Sequence, residues 1–487
     1  MPGIYSIGNA AAGNVQNNTS TYKYRKRINS IYAMAQIGYK NFAFLDLTAR
    51  NDWSSTLPLD NNSYFYPSAS LSLLMSEMFG WKADSKVSYW KLRANVSQIG
   101  NDADPYVLYN TLTLSTWGDS SQVEQPTSLK NSTLKPEIST SYEAGTEMRF
   151  FAGRLGFDFT YYLTNTKNQI MDLGTAWTSG YGSRVINAGC IQNKGFELSL
   201  FATPVQGAFT WNINANFTRN RNKVLELTEG IDEITIGGGE GINYYARVGD
   251  QLGDMYARTY ERVPSGPHAG EPLTNDAGEY NRLDEWQVIG NYNPDFMLGL
   301  TNTFSYKNIT LTALLDYRQG GDFYSYVSKN LMSDGRTTNT LFGRDEAHGG
   351  LAWNDGDNDR HDGMIVPGYR DDGNGNYVAN DVIVCPEDYY GNIYWDFNEL
   401  STYDGTYLKL REIALDYAFP KKMISKVGLS GLSVGVWGHN LAMWTKAAQG
   451  LDPETATTYT GSKITMGVAG WSLPGARTFG FKVGLEF

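Results

Sequence analysis

The last ten residues alternate without a break: Phe479, Phe481, Val483, Leu485 and Phe487 fall on one side, Thr478, Gly480, Lys482, Gly484 and Glu486 on the other. A period of two is the signature of a β-strand, whose successive side chains point to opposite faces. The pattern recurs with Phe209, Trp211, Ile213, Ala215 and Phe217 against Thr210, Asn212, Asn214, Asn216 and Thr218, and again along 155–164. Strands of soluble sandwiches average about five or six residues, whereas these run to about ten, the length a tilted strand needs to cross a bilayer. The expected class is therefore all-β, a transmembrane antiparallel β-barrel.

Reading every such segment gives roughly thirteen strands, near 25–37, 41–50, 64–75, 88–99, 139–150, 154–165, 190–203, 208–219, 295–306, 308–318, 405–419, 430–441 and 476–487. Residues 1–24 precede them as a connection, and 25–487 form the barrel portion. Alternate connections are short, as around Tyr39-Lys40, Ala152-Gly153, Val205-Gln206 and Lys307, with longer ones at 76–87 and 420–429. The remaining segments, 51–63, 100–138, 166–189, 220–294, 319–404 and 442–475, are long, polar, aromatic and rich in Gly and Asp. Short periplasmic turns opposite long external loops are the asymmetry of bacterial outer-membrane barrels. An odd strand count does not close such a barrel, so the chain is expected to be a carboxy-terminal portion completed by strands upstream or on another chain.

Composition agrees with this and excludes other classes. Mean hydropathy is -0.40, and no apolar run approaches the roughly 18 residues of a membrane-spanning helix; barrel strands expose only one apolar face, so they keep the average polar. The net charge of -11 offers no general attraction to a phosphate backbone, so nucleic acid is not an expected partner. Cys190 and Cys385 are the two cysteines, far apart and outside any CxxC arrangement, which leaves neither a disulfide scaffold nor a thiolate metal site. The segment MPGIYSIGNAAAGNVQ lacks the basic patch and apolar core of a secretory leader, again pointing to a downstream piece of a longer precursor.

The chain resembles the SusC/RagA-like TonB-dependent transporters of Bacteroidota-type outer membranes. The resemblance lies in YPSASLSLLMSE (66–77), WKLRANVSQIGND (90–102), LKPEISTSYEAGTEMRFFAGRLGFDFTYYLTNTKNQI (134–170) and INAGCIQNKGFELSL (186–200). It continues through IGNYNPDFMLGLTNTFSYKNITL (289–311), GTYLKLREIALDYAFP (405–420), HNLAMWT (439–445), LDPE (451–454) and the closing PGARTFGFKVGLEF. It implies a barrel of roughly 22 strands around an amino-terminal plug, energy from the TonB complex, and a SusD-like surface lipoprotein as a lid. It also implies import of an oligosaccharide or a peptide, with Phe487 read by the barrel-assembly machinery. The signal peptide, TonB-contact segment and plug of the family do not match any part of this sequence.

Candidate binding residues are the aromatics of the external segments: Trp117, Trp177, Tyr181, Trp353, Tyr389, Tyr390, Tyr394, Trp395 and Trp471. Flat rings stack on sugar faces while neighbouring Asp and Asn accept from hydroxyls; the bland alternative is packing within the loops or in the interfacial girdles. Asp355, Asp357 and Asp359 have the one-three-five oxygen spacing of a calcium loop, but Arg360 stands where the sharp turn needs Gly and no Glu closes the loop. A solvated acidic loop is the plainer expectation, and no cofactor is expected. The four histidines, His268, His348, His361 and His439, show no zinc spacing, and the GGGEG of 237–241 lacks the strand-to-helix context of a phosphate cradle, so it is expected to be a flexible loop. No nucleophile elbow, triad order or paired-carboxylate spacing stands out, so the chain is not expected to be an enzyme. Two alternatives to a transporter barrel are a carbohydrate-binding β-sandwich and a small passive porin.

Overall fold

The computed structural model describes residues 23–487 apart from 83–84, 118–119, 425–427, 448–449, 461–462 and 472–473. Thirteen strands form one antiparallel sheet in chain order: β1 (Ile28–Tyr39), β2 (Ala43–Ser54), β3 (Ser63–Leu74), β4 (Val87–Asn101), β5 (Glu137–Phe150), β6 (Leu155–Gly174) and β7 (Ser183–Val205). They continue as β8 (Phe209–Glu226), β9 (Phe296–Tyr306), β10 (Ile309–Gln319), β11 (Tyr407–Ala418), β12 (Gly431–Thr445) and β13 (Thr478–Glu486). Each strand of the sequence reading matches one of these. The short pair Ser128–Leu129 adds in parallel to the upper end of β7.

The register keeps the two faces chemically separate across neighbouring strands. Trp211, Phe304, Leu311, Leu415, Val436 and Phe481 stand directly opposite one another in a row spanning β8 to β13, on the outer face. One residue along, Thr210, Ser305, Thr310, Asp416, Gly435 and Lys482 form the matching inner row. A slip by one residue would carry every ring into the lumen. Lys482 reaches across Gly435 to place Nζ 2.8 Å from Asp416 Oδ1; a Cβ at position 435 would collide with that carboxylate, so the bridge requires glycine there.

Among the described residues the sheet does not close on itself, since β1 pairs only with β2 and β13 only with β12. Every residue of β1 is exposed, as is all of β13 but one. The tight turns at one end place Lys40, Asn41, Phe151, Ala152 and Lys307 at positive φ, as two- to four-residue hairpin connections require.

Several strands run past the membrane length. β6, β7 and β8 have 20, 23 and 18 residues, so the expected boundaries at 165, 190 and 219 fall well inside them. Polar ladder pairing simply continues above the apolar band, with Asn193 opposite Asn222 and Asn220 opposite Gly195.

The second departure is in the long loops, which fold together and contain most of the fully buried residues. Residues 233–257 and 287–291 form a four-stranded sheet. Tyr260, Tyr280, Met364, Val366, Val384 and Phe397 pack as one cluster joining segments 220–294 and 319–404. Ile242, Met255, Tyr324 and Val468 form another, which adds segment 442–475. The apolar core thus lies beyond the barrel wall. The GGGEG segment belongs to this assembly as well: Glu233–Gly239 and Ile242–Arg247 pair as a hairpin that turns at Glu240 and Gly241, both at positive φ. It is a turn inside a sheet and not the flexible loop its composition indicated.

Candidate functional site

A three-stranded sheet in the loop assembly brings distant segments to one place. Asp322–Ser325 pairs antiparallel with Thr402–Asp404 and parallel with Val468–Ala469, so the two ends of the longest loop meet the last one. Ser325 then caps the helix Tyr326–Ser333, its Oγ accepting from Ser328 N at 3.1 Å. The first residue of that helix, Tyr326, gathers two of the expected aromatics: its ring lies 6.3 Å from that of Trp395 and 6.0 Å, edge-on, from that of Trp471. Both tryptophans remain open to solvent, at 38% and 69% exposure. Large rings held against one another, one pair tilted and one edge to face, yet uncovered are a platform for another flat or hydroxylated surface.

Beneath the platform sits a buried cation. Lys329 places Nζ 4.6 Å from the centroid of the Trp395 ring and donates to Asn398 Oδ1, while Asn398 Nδ2 donates to Gly241 O at 2.7 Å. Burial pushes the Lys329 ammonium down to about 8, because the charged form loses its hydration. The ring face towards Lys329 is therefore occupied.

The same sheet borders a cavity of about 630 Å³ whose walls include Arg221, Asp254, Asn291, Asp295, Asp322 and Asp404. Asn291 organises it, donating from Nδ2 to Asp254 Oδ1 at 2.6 Å and from the backbone to Asp322 Oδ2 at 3.1 Å. Burial raises the carboxyls of Asp254 and Asp322 above the usual range. The lining is almost all hydrogen-bonding groups, suited to a polyhydroxylated or amine-bearing solute.

The other candidates are placed differently. Tyr390 and Tyr394 are buried, their hydroxyls donating to Asn339 O and Leu400 O at 3.1 and 3.0 Å, and Tyr389 packs beside them. Tyr390 and Tyr394 thus belong to the loop core, with Tyr389 half-buried against it. Trp353 is held within its hairpin, its indole donating to Asp362 Oδ1 at 3.1 Å and its ring lying 5.6 Å under Arg360. Tyr181 accepts from Asn110 Nδ2 at 3.1 Å. Trp177 is 70% exposed on a separate turn. The side chain of Trp117 lies outside the described residues.

The acidic trio is not assembled as a cation loop. Asp355 Oδ1 accepts from the backbone of Asp357 and Asn358 at 3.0 and 2.8 Å and Oδ2 faces Arg360, while Asp359 accepts from Asn354 at 2.8 Å. Asp355 is thus occupied by turn formation, and among the described residues no three His, Cys, Asp or Glu side chains are grouped to hold a metal ion. Cys190 and Cys385 are both free and buried.

Tyr326 and Lys329 were not singled out from sequence. The one signal that could have found Tyr326 is the run Phe323-Tyr324 ending at Ser325, an apolar strand followed by a helix cap.

The family model described as TonB dependent receptor-like, beta-barrel matches residues 3–247. TonB-dependent receptor P3 of Formosa agariphila is 26% identical over 512 residues, covering 99% of this chain and 48% of the relative. TonB-dependent receptor SusC of Bacteroides thetaiotaomicron is 24% identical, covering 67% of this chain and 35% of the relative. The RagAB peptide importer in its closed-closed state superposes with a TM-score of 0.73 at 18% identity, covering 99% of this chain and 50% of that one. The chain spans about half the length of the relatives it matches, or less.

Proposed function

Because the chain belongs to the TonB dependent receptor-like β-barrel family of the outer membrane, a family of transporters and not of enzymes, we propose that it is the barrel and loop portion of a TonB-dependent importer. Its solute is a glycan fragment or a peptide, captured on the external loops before passage. The observation that carries this reading is the platform of Tyr326, Trp395 and Trp471, two exposed tryptophans set against the ring that opens the helix Tyr326–Ser333, near a polar cavity. Stacking supplies attraction for a sugar face or an aromatic or prolyl side chain, and the Asp and Asn walls accept hydrogen bonds. An oligosaccharide uses both parts of this arrangement, so it is the first solute to test.

The complete protein would work with a SusD-like lipoprotein over the loops and with the TonB complex through its plug. Support comes from the family and from the depth of the loop assembly, which presents a broad folded surface for a lid. A sandwich module is set aside by the single thirteen-strand sheet with one continuous apolar face.

The test is calorimetric binding of size-fractionated neutral oligosaccharides, and separately of peptides, to the complete protein in detergent. Saturable binding that weakens about tenfold in Trp395→Ala with Trp471→Ala is expected. No binding in either pool, or binding untouched by the pair of substitutions, would sink the proposed platform. Uptake by proteoliposomes without an energised TonB complex would instead favour the passive pore.

A further inference from the structure

We infer that the short-turn rim of the barrel binds anionic phospholipid headgroups of the leaflet it faces. The inference rests on the outer-membrane reading above and concerns a surface remote from the solute platform. Charge there runs against the rest of the chain. In a protein of net charge -11, the connections 40–42, 75–86, 151–154, 206–208, 307–308 and 419–430 hold eight Lys or Arg and two acidic residues. Of these ten, Lys426 and Asp84 lie outside the described residues. Lys40, Lys82 and Lys86 are exposed, as are Arg154, Lys307, Lys421 and Lys422. None of the seven is in an ion pair among the described residues, whereas basic residues nearer the loops, such as Lys409 and Arg411, are paired.

Aromatic rings fix the depth of these cations. Trp81 stacks between Phe79 and Trp90 at 5.6 and 6.0 Å, Trp211 stacks on Phe304 at 5.8 Å, and Tyr417 meets Phe419 edge-on, all at the short-turn ends of their strands. Such rings sit at the membrane interface, so cations one to a few residues further along the turns stand at the level of the phosphates. Lys40 and Lys307 carry this out within single residues, with Nζ 5.3 and 5.2 Å from the rings of Tyr39 and Tyr306. Exposed Met78, Phe79 and Met423 accompany the lysines and give the rim apolar contacts with the acyl boundary. Unpaired cations at this depth attract anionic lipid over about one Debye length.

The complete protein would be reconstituted in bilayers of mixed phosphatidylglycerol and phosphatidylcholine, and the lipids retained on gentle extraction counted by native mass spectrometry. We expect several-fold enrichment of phosphatidylglycerol, falling with added salt and largely lost in a variant carrying Lys40→Gln, Lys307→Gln, Lys421→Gln and Lys422→Gln. Absence of enrichment at low salt, enrichment unchanged in the variant, or its displacement by millimolar inorganic phosphate would overturn the proposal. The salt series on the unsubstituted protein decides the matter if the variant does not fold. Heat-modifiable gel migration of the same samples reports insertion, so a failure of the outer-membrane reading is seen separately from a failure of lipid preference.

Discussion

The ammonium of Lys409, on strand β11 and 4% exposed, donates to both carboxylate oxygens of Asp452 at 2.7 and 2.8 Å. It reaches Glu454 Oε2 at 2.7 Å as well, and Arg411 takes both oxygens of Glu454 at 2.6 and 2.7 Å while holding Asp316. Two segments quoted separately from the sequence, LKLRE and LDPE, thus meet in one ion network, buried at Lys409 and open to solvent at Glu454, that fastens the last loop to the barrel wall. Removing Lys409 leaves Asp452 without its cation while Glu454 keeps Arg411, so the loop loses its one buried tie to the wall. Lys409→Met should therefore free the loop without dissolving the sheet. Limited proteolysis should show new cleavage within 446–475 and unchanged heat-modifiable migration; resistance equal to that of the parent would contradict the role.

Glu454 makes the same fastening dependent on acid. The Arg411 guanidinium, with Lys409 beside it, holds the Glu454 carboxyl down to about 2, below the ordinary value of about 4.3. Its contribution is complete above the ordinary value and declines as the pH falls towards 2. Protease sensitivity of 446–475 should rise between about pH 4 and pH 2, and Glu454→Gln should be sensitive already at neutral pH.

Lys329 gives a dependence of the same sign at alkaline pH, because burial disfavours its charged form. With its folded value near 8 and an unfolded value of about 10.4, the native loops bind fewer protons than the unfolded loops between those limits, so stability rises with pH across that interval. Thermal unfolding of the loop assembly should shift upward from pH 8 to pH 10. Lys329→Met should flatten the profile, and a profile identical to that of the parent would exclude Lys329 as its source.

Tyr394 and Trp471 separate packing from recognition. Tyr394 is buried with its hydroxyl satisfied, so Tyr394→Ala should destabilise the loop assembly by about 3–5 kcal/mol, the usual cost of deleting a large ring from a core. Trp471 is mostly exposed, and Trp471→Ala should leave the melting curve in place while weakening solute binding. Equal effects of the two on stability would remove the distinction.

Phe487, 92% exposed at the end of β13, has no packing role in the structure. Its deletion from the complete protein should lower the outer-membrane level measured by fractionation and immunoblotting, with no change in the melting temperature of the fraction that assembles. Normal levels would leave the terminal ring without the assembly role that the family resemblance gives it.

The strands were legible because lipid imposes a repeating chemical demand on one face. β9 and β13 lie within two residues of their expected bounds at either end, and so does β11 despite a bulge between Leu410 and Glu412. The loop assembly was not legible, for a physical reason. Its core is drawn from single apolar residues such as Met364 and Val384 on strands of seven and two residues, too short to show a period. Tyr324 meets Val468 across 144 positions of chain in a parallel pair, a contact no local pattern announces. The proposed platform takes Trp395 and Trp471 from the aromatics that residue type alone offers, whereas burial, which only the fold decides, places Tyr390 and Tyr394 in the loop core.

The location of the main core outside the wall has a mechanical consequence. Each long loop leaves and re-enters the sheet on adjacent strands, so its ends are held a few ångströms apart before any of its own contacts form, and the entropy of closing it is largely absorbed by the wall. The loop assembly, with its own apolar clusters, is in this sense a compact unit strung along the rim of the sheet. A set of loops of that kind can exchange its surface for another solute while the sheet, and the lipid-facing rows that define it, stay untouched.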